Sequence, residues 1–378
     1  MRKTKQAILS WVAAVALAGC GTTSTPSTPS APAPQEGGAA AEKLTVYTTI
    51  YPLEYVTKRI GHDLIEVVNI VPPGVEPHDF EPTAKDMVAV TGADMFIYNG
   101  SGLELWVDKA VANLDTNHTQ VVNTTEGIEL IHVGGDEEGH AHEHADEHDH
   151  DHEHADEHAD EHAHAHADAH DEHADDHAHE DEHEHADEHA HEDGHGHGHD
   201  HDHGDTDPHV WLDPTLLKAQ AETIKGALVA KDPANASAYE ANYQQLADDL
   251  DQLDRDFQEM AAQAAKKEFM VSHSAFSYLA KRYNLEQVAI SGLNPAAEPS
   301  PSQMKQLVEY VKENQISYVL FETLVSPKVA EVIAREAGVK TATLNPLEGL
   351  TAEDVQAGKD YLSIMRENLE TLRKALNE

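Results

Sequence analysis

Residues 235–267 read NASAYEANYQQLADDLDQLDRDFQEMAAQAAKK. No glycine or proline interrupts them, and Leu246, Leu250, Leu253, Phe257 and Met260 recur at intervals of 4, 3, 4 and 3. That spacing puts all five on one stripe of a single α-helix. At 1.5 Å per residue the helix would run about 45–50 Å. A helix of this length is either one more element laid on a core or a rigid strut between two bodies. The flanking sequence favours the strut.

On its N-terminal side, β-rich runs at 44–50, 64–71, 94–99 and 119–123 alternate with helical candidates at 52–60, 83–91 and 102–114. On its C-terminal side the series restarts. Strand-like runs at 268–273, 286–290, 317–322 and 341–345 are interleaved with or followed by helical segments 275–283, 302–314, 327–337 and 352–376. Strand-helix alternation produces a parallel sheet covered by helices. The expected fold is therefore α/β, with two lobes of roughly four parallel strands each, joined by one long rigid helix. The N-terminal lobe takes 44–133 and 208–234, the linking helix 235–267, and the C-terminal lobe 268–378.

The gap in the first lobe, 134–207, has a different character. The whole chain carries 70 acidic and 25 basic residues, a formal charge of −45, and 30 of those acids fall in this insert, which contains no Lys or Arg. Between 140 and 203 lie 24 of the 30 histidines. Few large apolar residues and heavy self-repulsion predict a disordered loop. Dense imidazole would bind Zn, Cu or Ni at many interchangeable places, and proton competition should weaken that binding below roughly pH 6. Strong negative charge argues against nucleic acid as a partner.

The N-terminus reads as a targeting segment. Arg2, Lys3 and Lys5 precede a short apolar run at 7–18, which ends in LAGC at 17–20. This resembles a bacterial lipobox, in which the cysteine is lipidated and becomes the new N-terminus. Cys20 is the only cysteine, so it has no intramolecular disulfide partner. Residues 1–20 are read as a lipoprotein signal peptide and 21–43, rich in Ser, Thr, Pro and Gly, as a flexible tether. The protein would then work outside the cytoplasm, anchored to a membrane through an acyl chain such as palmitate on Cys20.

Six histidines lie outside the run. His78 sits in VPPGVEPHDFEPT (71–83), directly after a strand-like segment. His209 sits in DPHVWLDP (207–214) and His273 in VSHSAFSYLAKRYNL (271–285), at the end of the second lobe's first strand. Loops at the carboxyl ends of parallel strands are where open α/β folds place ligands. The three form a plausible metal set drawn from both lobes, while His62, His118 and His132 read as structural.

GVEPHDFEPT, NGSGLELW (99–106), DPHVWLDP, SHSAFSYLAKRY, EPSPSQM (298–304) and FETLVSPKVAEVIAREAGV (321–339) occur in this order. Together they resemble the metal-binding lipoproteins of bacterial zinc and manganese ABC importers, the cluster A-I solute-binding proteins. The resemblance runs from about residue 44 to the C-terminus, omitting the insert. It implies a metal held between the lobes by His78, His209 and His273, with Glu348 of NPLEGLT (345–351) as fourth ligand. Glu322 or a water is the competing choice.

In that family manganese members carry a carboxylate at the third position. His273 stands there in this chain, so three imidazoles and a carboxylate imply Zn²⁺ as the transported ligand. The resemblance further implies a monomer that delivers zinc to an ABC permease driven by a cytoplasmic ATPase, with only modest lobe rotation. A manganese-binding protein and a zinc-storing surface adhesin are the alternatives. No HExxH, GxSxG or phosphate-binding GxxxxGK[ST] motif occurs in a suitable context, and no enzymatic activity is expected.

Overall fold

The computed structural model of the protein describes residues 43–132 and 206–378. The signal peptide with Cys20, the tether up to residue 42, and the acidic histidine run lie outside the described residues. The first lobe is built from β1 (Leu44–Thr48), α1 (Tyr51–Gly61), β2 (Ile65–Asn69), α2 (Ala84–Thr91), β3 (Met95–Tyr98), α3 (Val107–Val111), β4 (Gln120–Asn123) and α4 (Pro214–Lys231). After α5 (Ala236–Gln263) come β5 (Glu268–Val271), α6 (Ser277–Tyr283), β6 (Glu286–Ala289), α7 (Pro301–Glu313), β7 (Tyr318–Phe321), α8 (Lys328–Ala337), β8 (Lys340–Thr343), α9 (Ala352–Ala357) and α10 (Tyr361–Ala375).

Each lobe holds a four-stranded sheet, ordered β2-β1-β3-β4 in the first and β6-β5-β7-β8 in the second, with every pairing parallel. The two orders are the same, so the fold repeats one topology. The central strands β3 (MFIY) and β7 (YVLF) are short apolar runs, buried because helices cover them, whereas the edge strands β6 (EQVA) and β8 (KTAT) are more polar and partly open. Among the described residues no helix is long and apolar enough to cross a membrane.

The linking helix is both of the things its sequence allows. Leu246, Leu250, Leu253, Phe257 and Met260 are all at most 1% exposed. The stripe packs on α1 and α4 of the first lobe and on α6 and α10 of the second. One continuous apolar cluster therefore runs through both lobes. Polar latches add to it. Arg59 of α1 donates to Asp249 at 2.7 Å. Asp254 accepts from Arg282 Nε and NH2, both at 3.0 Å, and from the Tyr283 hydroxyl at 3.2 Å. Phe257 stacks on Tyr283 with centroids 5.2 Å apart. Phe257→Ala should remove about 3–5 kcal/mol of stability by leaving a cavity at this junction. The check is a guanidinium unfolding curve, and an unchanged midpoint would show that the junction is not rigid.

Three helix boundaries differ from the sequence expectation. α5 ends at Gln263 instead of 267, because Ala264 turns extended (φ −67, ψ 127) and Lys266 N–H bonds to Leu376 O at 3.0 Å. Nothing local in AAKK forbids helix, so the packing of the C-terminal segment decides it. The helix expected over 352–376 is two helices. Gly358 closes α9 in the left-handed region (φ 68), and Asp360 caps α10 by accepting from Ser363 N–H at 2.8 Å. The helix expected over 102–114 is reduced to α3, since Gly100, Ser101 and Gly102 all have positive φ. Gly100 has a second reason to lack a side chain: a Cβ there would lie 2.6 Å from Asn123 Oδ1.

Candidate metal centre

The site stands where the carboxyl ends of the two sheets meet. β5 ends at Val271 and delivers His273; β7 ends at Phe321 and delivers Glu322. His78 follows β2, and the loop after β8 carries Glu348. His209 arrives on a separate segment, at the N-terminal edge of a short 3₁₀ turn (Val210–Leu212) leading into α4. That segment is held from the first lobe: Asn99 Nδ2 donates to Pro208 O at 2.9 Å, and Gln220 Nε2 donates to Asn99 Oδ1 at 2.9 Å. Buried Glu104 braces the same loop, accepting from Thr49 Oγ1 (2.5 Å), Asn99 N (2.8 Å) and Gly100 N (3.1 Å). The NGSGLE motif is thus scaffold for DPHVW.

His78, His209, His273 and Glu348 converge, each buried, with one ligand atom apiece inside a 4.8 Å group. His209 Nε2 lies 3.2 Å from His78 Nε2, 3.4 Å from His273 Nε2 and 3.1 Å from Glu348 Oε1. Glu348 Oε1 is 3.5 Å from His78 Nε2 and 3.3 Å from His273 Nε2. A tetrahedron with 2.0–2.1 Å metal–ligand bonds has edges of about 3.3–3.4 Å. These five separations match that figure closely. His62, His118 and His132 are not in the group; His132 pairs in an antiparallel bridge with Thr206.

The outer atoms explain why the inner ones face one another. His209 Nδ1 is 2.8 Å from Asp207 Oδ1, and His273 Nδ1 is 2.6 Å from Glu322 Oε2. A carboxylate on Nδ1 holds the proton there and turns the Nε2 lone pair inward. Lone pairs packed at such distances repel unless a cation or protons lie between them. Glu322, the competing fourth ligand in the sequence, is committed to His273 Nδ1, and Glu348 Oε1 takes the inward position. Glu322→Gln or Asp207→Asn should weaken zinc binding about 10- to 100-fold while leaving one site, because these carboxylates orient the imidazoles from Nδ1 and lie outside the four-atom group. A competition titration against a chromophoric chelator checks this, and equal affinity would contradict it.

The electrostatics agree. Burial alone would lower the His209 and His273 imidazoles. Asp207 and Glu348 outweigh burial at His209 and raise it, and Glu322 with Glu348 lifts His273 to about 10. His78, buried with less support, is lowered. Burial would raise Glu348, but the three histidines hold it well below the ordinary carboxylate range. Glu76 is pushed up to about 9, first by burial and then by the charge of Glu348.

Sequence reasoning missed one recurring device. Each of the three clustered histidines donates its main-chain N–H to a carboxylate: His78 to Glu76 Oε1 (3.1 Å), His209 to Asp207 Oδ1 (2.9 Å) and His273 to Glu322 Oε1 (3.0 Å). In two of the three the acid stands two residues before, as EPH at 76–78 and DPH at 207–209. The shared acid-Pro-His tripeptide was the readable signal.

The lobes are also bonded across the cleft. Trp211 Nε1 donates to Pro346 O at 2.8 Å and the Tyr361 hydroxyl to Trp211 O at 2.6 Å. The Tyr278 hydroxyl donates to Asp207 O at 2.8 Å. Gly74 N–H donates to Leu350 O at 2.8 Å.

Comparison with known proteins gives the same picture. The family model described as zinc-uptake complex component A, periplasmic (ZnuA) matches residues 46–375. The high-affinity zinc uptake system protein ZnuA of Bacillus subtilis (strain 168) is 36% identical over 360 residues, covering 95% of this chain and 93% of that one. The zinc-binding lipoprotein AdcA of Streptococcus pneumoniae (strain ATCC BAA-255 / R6) is 35% identical over 337 residues; the match takes in 89% of this chain but only 56% of AdcA. The crystal structure of the Zn(II)-bound ZnuA-like domain of S. pneumoniae AdcA superposes with a TM-score of 0.65 at 32% identity, covering 89% of this chain and all of that domain. A match over nearly the whole folded region, on top of a buried His₃Glu group between two parallel sheets, establishes that the chain belongs to the ZnuA family.

Proposed function

We propose that the protein captures Zn²⁺ between its lobes and delivers it to an ABC permease, whose cytoplasmic ATPase drives import. The observation that carries this reading is the tetrahedral set of three Nε2 atoms and Glu348 Oε1, 3.1–3.5 Å apart. His78, His209, His273 and Glu348 are the ligands. Three imidazoles favour zinc over manganese, both by ligand type and by the Irving–Williams order. The zinc uptake and zinc-binding names of the relatives support the same cargo. The site is one for holding and releasing an ion, and solute binding accounts for it without catalysis.

Around that centre the parts take these roles. Cys20 carries the lipid that anchors a monomer to the cell membrane, at the outer face of the cytoplasmic membrane or on the periplasmic side, and 21–43 is the tether. Residues 44–133 with 208–234 and residues 268–378 are the two lobes, with 235–267 as their link. The insert 134–207, apart from Asp207 under His209, is an accessory that gathers metal, while tight binding belongs to the cleft. The cross-lobe hydrogen bonds and the doubly packed α5 favour a small rotation on loading over a wide closure. The function is tested in zinc-limited cells that lack the protein. Restored wild-type protein should recover zinc accumulation and growth, and His273→Ala should not. Recovery by manganese alone, or equal recovery by both proteins, would refute the reading.

A further inference from the structure

The segment that carries His209 is held by its main chain: the Asn99 carboxamide NH2 donates to Pro208 O at 2.9 Å. A second asparagine stands in a matching place beside His78. Asn294 belongs to the loop after β6, in the second lobe, yet it lines one cavity of about 280 Å³ with His78, Asp79, Glu81 and Trp106 of the first.

The Asn294 carboxamide is oriented by its own loop. Its Oδ1 accepts from Ala296 N–H at 2.8 Å, closing an Asx turn, and this leaves Nδ2 to serve another acceptor. The loop is also fastened on both sides of His273. Ser291 donates its N–H (3.0 Å) and its hydroxyl (3.1 Å) to Ser272 O, and Ser274 N–H donates to Gly292 O at 3.0 Å. Asn294, two residues beyond Gly292, therefore moves with the His273 segment. On the other side of the cleft, one carboxylate holds His209 and another holds His273, each at both the main-chain N–H and Nδ1. Glu76 takes the His78 N–H on Oε1 and is otherwise bonded to Glu348. His78 and Asn294 each make a contact beyond these.

We propose that Asn294 is a positioning residue of the zinc centre: its NH2 donates to His78 across the cleft and ties that ligand to the segment that carries His273. A histidine that ligates through Nε2 carries its proton on Nδ1, so the acceptor in the loaded protein is the His78 main-chain oxygen. Glu76 then holds the N–H side of His78 from the first lobe, and Asn294 holds its carbonyl side from the second. This bond makes a first-lobe ligand depend on the approach of the second lobe. Zinc is held at full strength while the lobes are together, and parting them loosens His78. The proposal rests on the reading of the His₃Glu group as the zinc centre.

The test is a chelator chase of the zinc-loaded full chain, read by tryptophan emission. The Trp211 ring lies 5.3 Å from the His209 ring and Trp106 lines the Asn294 cavity, so the signal reports the cleft. Asn294→Asp is isosteric, keeps the oxygen that accepts from Ala296 N–H and removes the donor. It also adds a negative charge near a dication, which by itself would slow release. Release should instead be about tenfold faster, the lower end for loss of a group that orients a metal ligand. Asn294→Ser retains a donor on a shorter arm, with a hydroxyl oxygen for Ala296 N–H, and should fall between wild type and Asn294→Asp. Unchanged or slower release in Asn294→Asp would overturn the proposal. So would equal acceleration in both variants, since that marks a disturbed loop. If His273→Ala leaves the zinc response of the wild type intact, the centre itself is misread and the proposal falls with it. A response lost in His273→Ala, with release unchanged in Asn294→Asp, removes the proposal alone.

Discussion

His273→Ala should cost the protein its tight zinc site. The expected loss is about 10²- to 10³-fold in affinity, since binding of roughly 10–16 kcal/mol spread over four ligands is about 2.5–4 kcal/mol each. The side chain does more than donate Nε2. It is the ligand held by Glu322 from both its main-chain N–H (3.0 Å) and its Nδ1 (2.6 Å), and it brings the second lobe's first strand to the centre. Without it Glu348 is the only ligand left from that lobe, and Glu322 is a buried carboxylate without its imidazole. The measurement is calorimetric titration at neutral pH, using the chain from residue 43 with residues 134–205 replaced by a short linker, so that the run cannot mask the cleft and Asp207 stays under His209. One tight site in the parent and none in the variant is the expected pair. If removing the run abolishes tight binding and His273→Ala leaves it intact, function lies in the run and the cleft is a scaffold.

Zinc affinity should rise steeply with pH, by at least about tenfold per unit between pH 6 and 8. The metal needs neutral imidazoles, and in the metal-free site His273 is held protonated up to about 10, with His209 raised as well. Each zinc that binds must then expel at least one proton. Calorimetry in buffers of different ionisation heat counts those protons, and a count of zero at pH 7 would contradict the site's electrostatics. Stability of the metal-free protein should move the other way. A group raised from 6.5 to about 10 by folding contributes its full stabilisation below 6.5 and loses it as pH climbs through 10. Glu348 is depressed, so its contribution is present above its ordinary value of 4.5 and disappears on acidification. These shifts express one shared set of contacts between Glu348, His273 and its neighbours. Metal-free melts should therefore be highest near pH 5–6.5 and decline on either side, while zinc-loaded melts gain with pH over the neutral range.

How much of this was legible beforehand follows from the distance over which each feature is decided. The stripe at 246, 250, 253, 257 and 260 is a local periodicity, and a helix reads it whatever surrounds it. The two strand-helix series are local as well, and the order in which they occur leaves a repeated parallel sheet as the economical arrangement. The three ligand histidines were findable because each lies in a loop that follows a strand or reopens the lobe after the run. Gly358 with Asp360 was also there to be read as a stop and a start, and the positive-φ run at 100–102 was signalled by its glycines.

Other features have no local signature. α5 stops at Gln263 because Leu376, more than a hundred residues later, accepts from Lys266 N–H. Glu322 and Glu348 are both acids after strands of the same lobe, and composition cannot say which faces the metal. Packing turns Glu322 onto His273 Nδ1, across 49 residues of chain, and sets Glu348 3.1 Å from His209 Nε2, across 139. The approach of Glu76 to Glu348 is likewise settled between segments that meet only when folded, whereas Asp207 under His209 is as local as its tripeptide. Sequence alone thus determined the elements, the two-lobe plan and the metal-binding residue types, because these depend on periodicity and side-chain chemistry. Tertiary structure decided which carboxylate faces the three Nε2 atoms and which sits on a histidine Nδ1, because that choice is a distance between residues the chain itself keeps far apart.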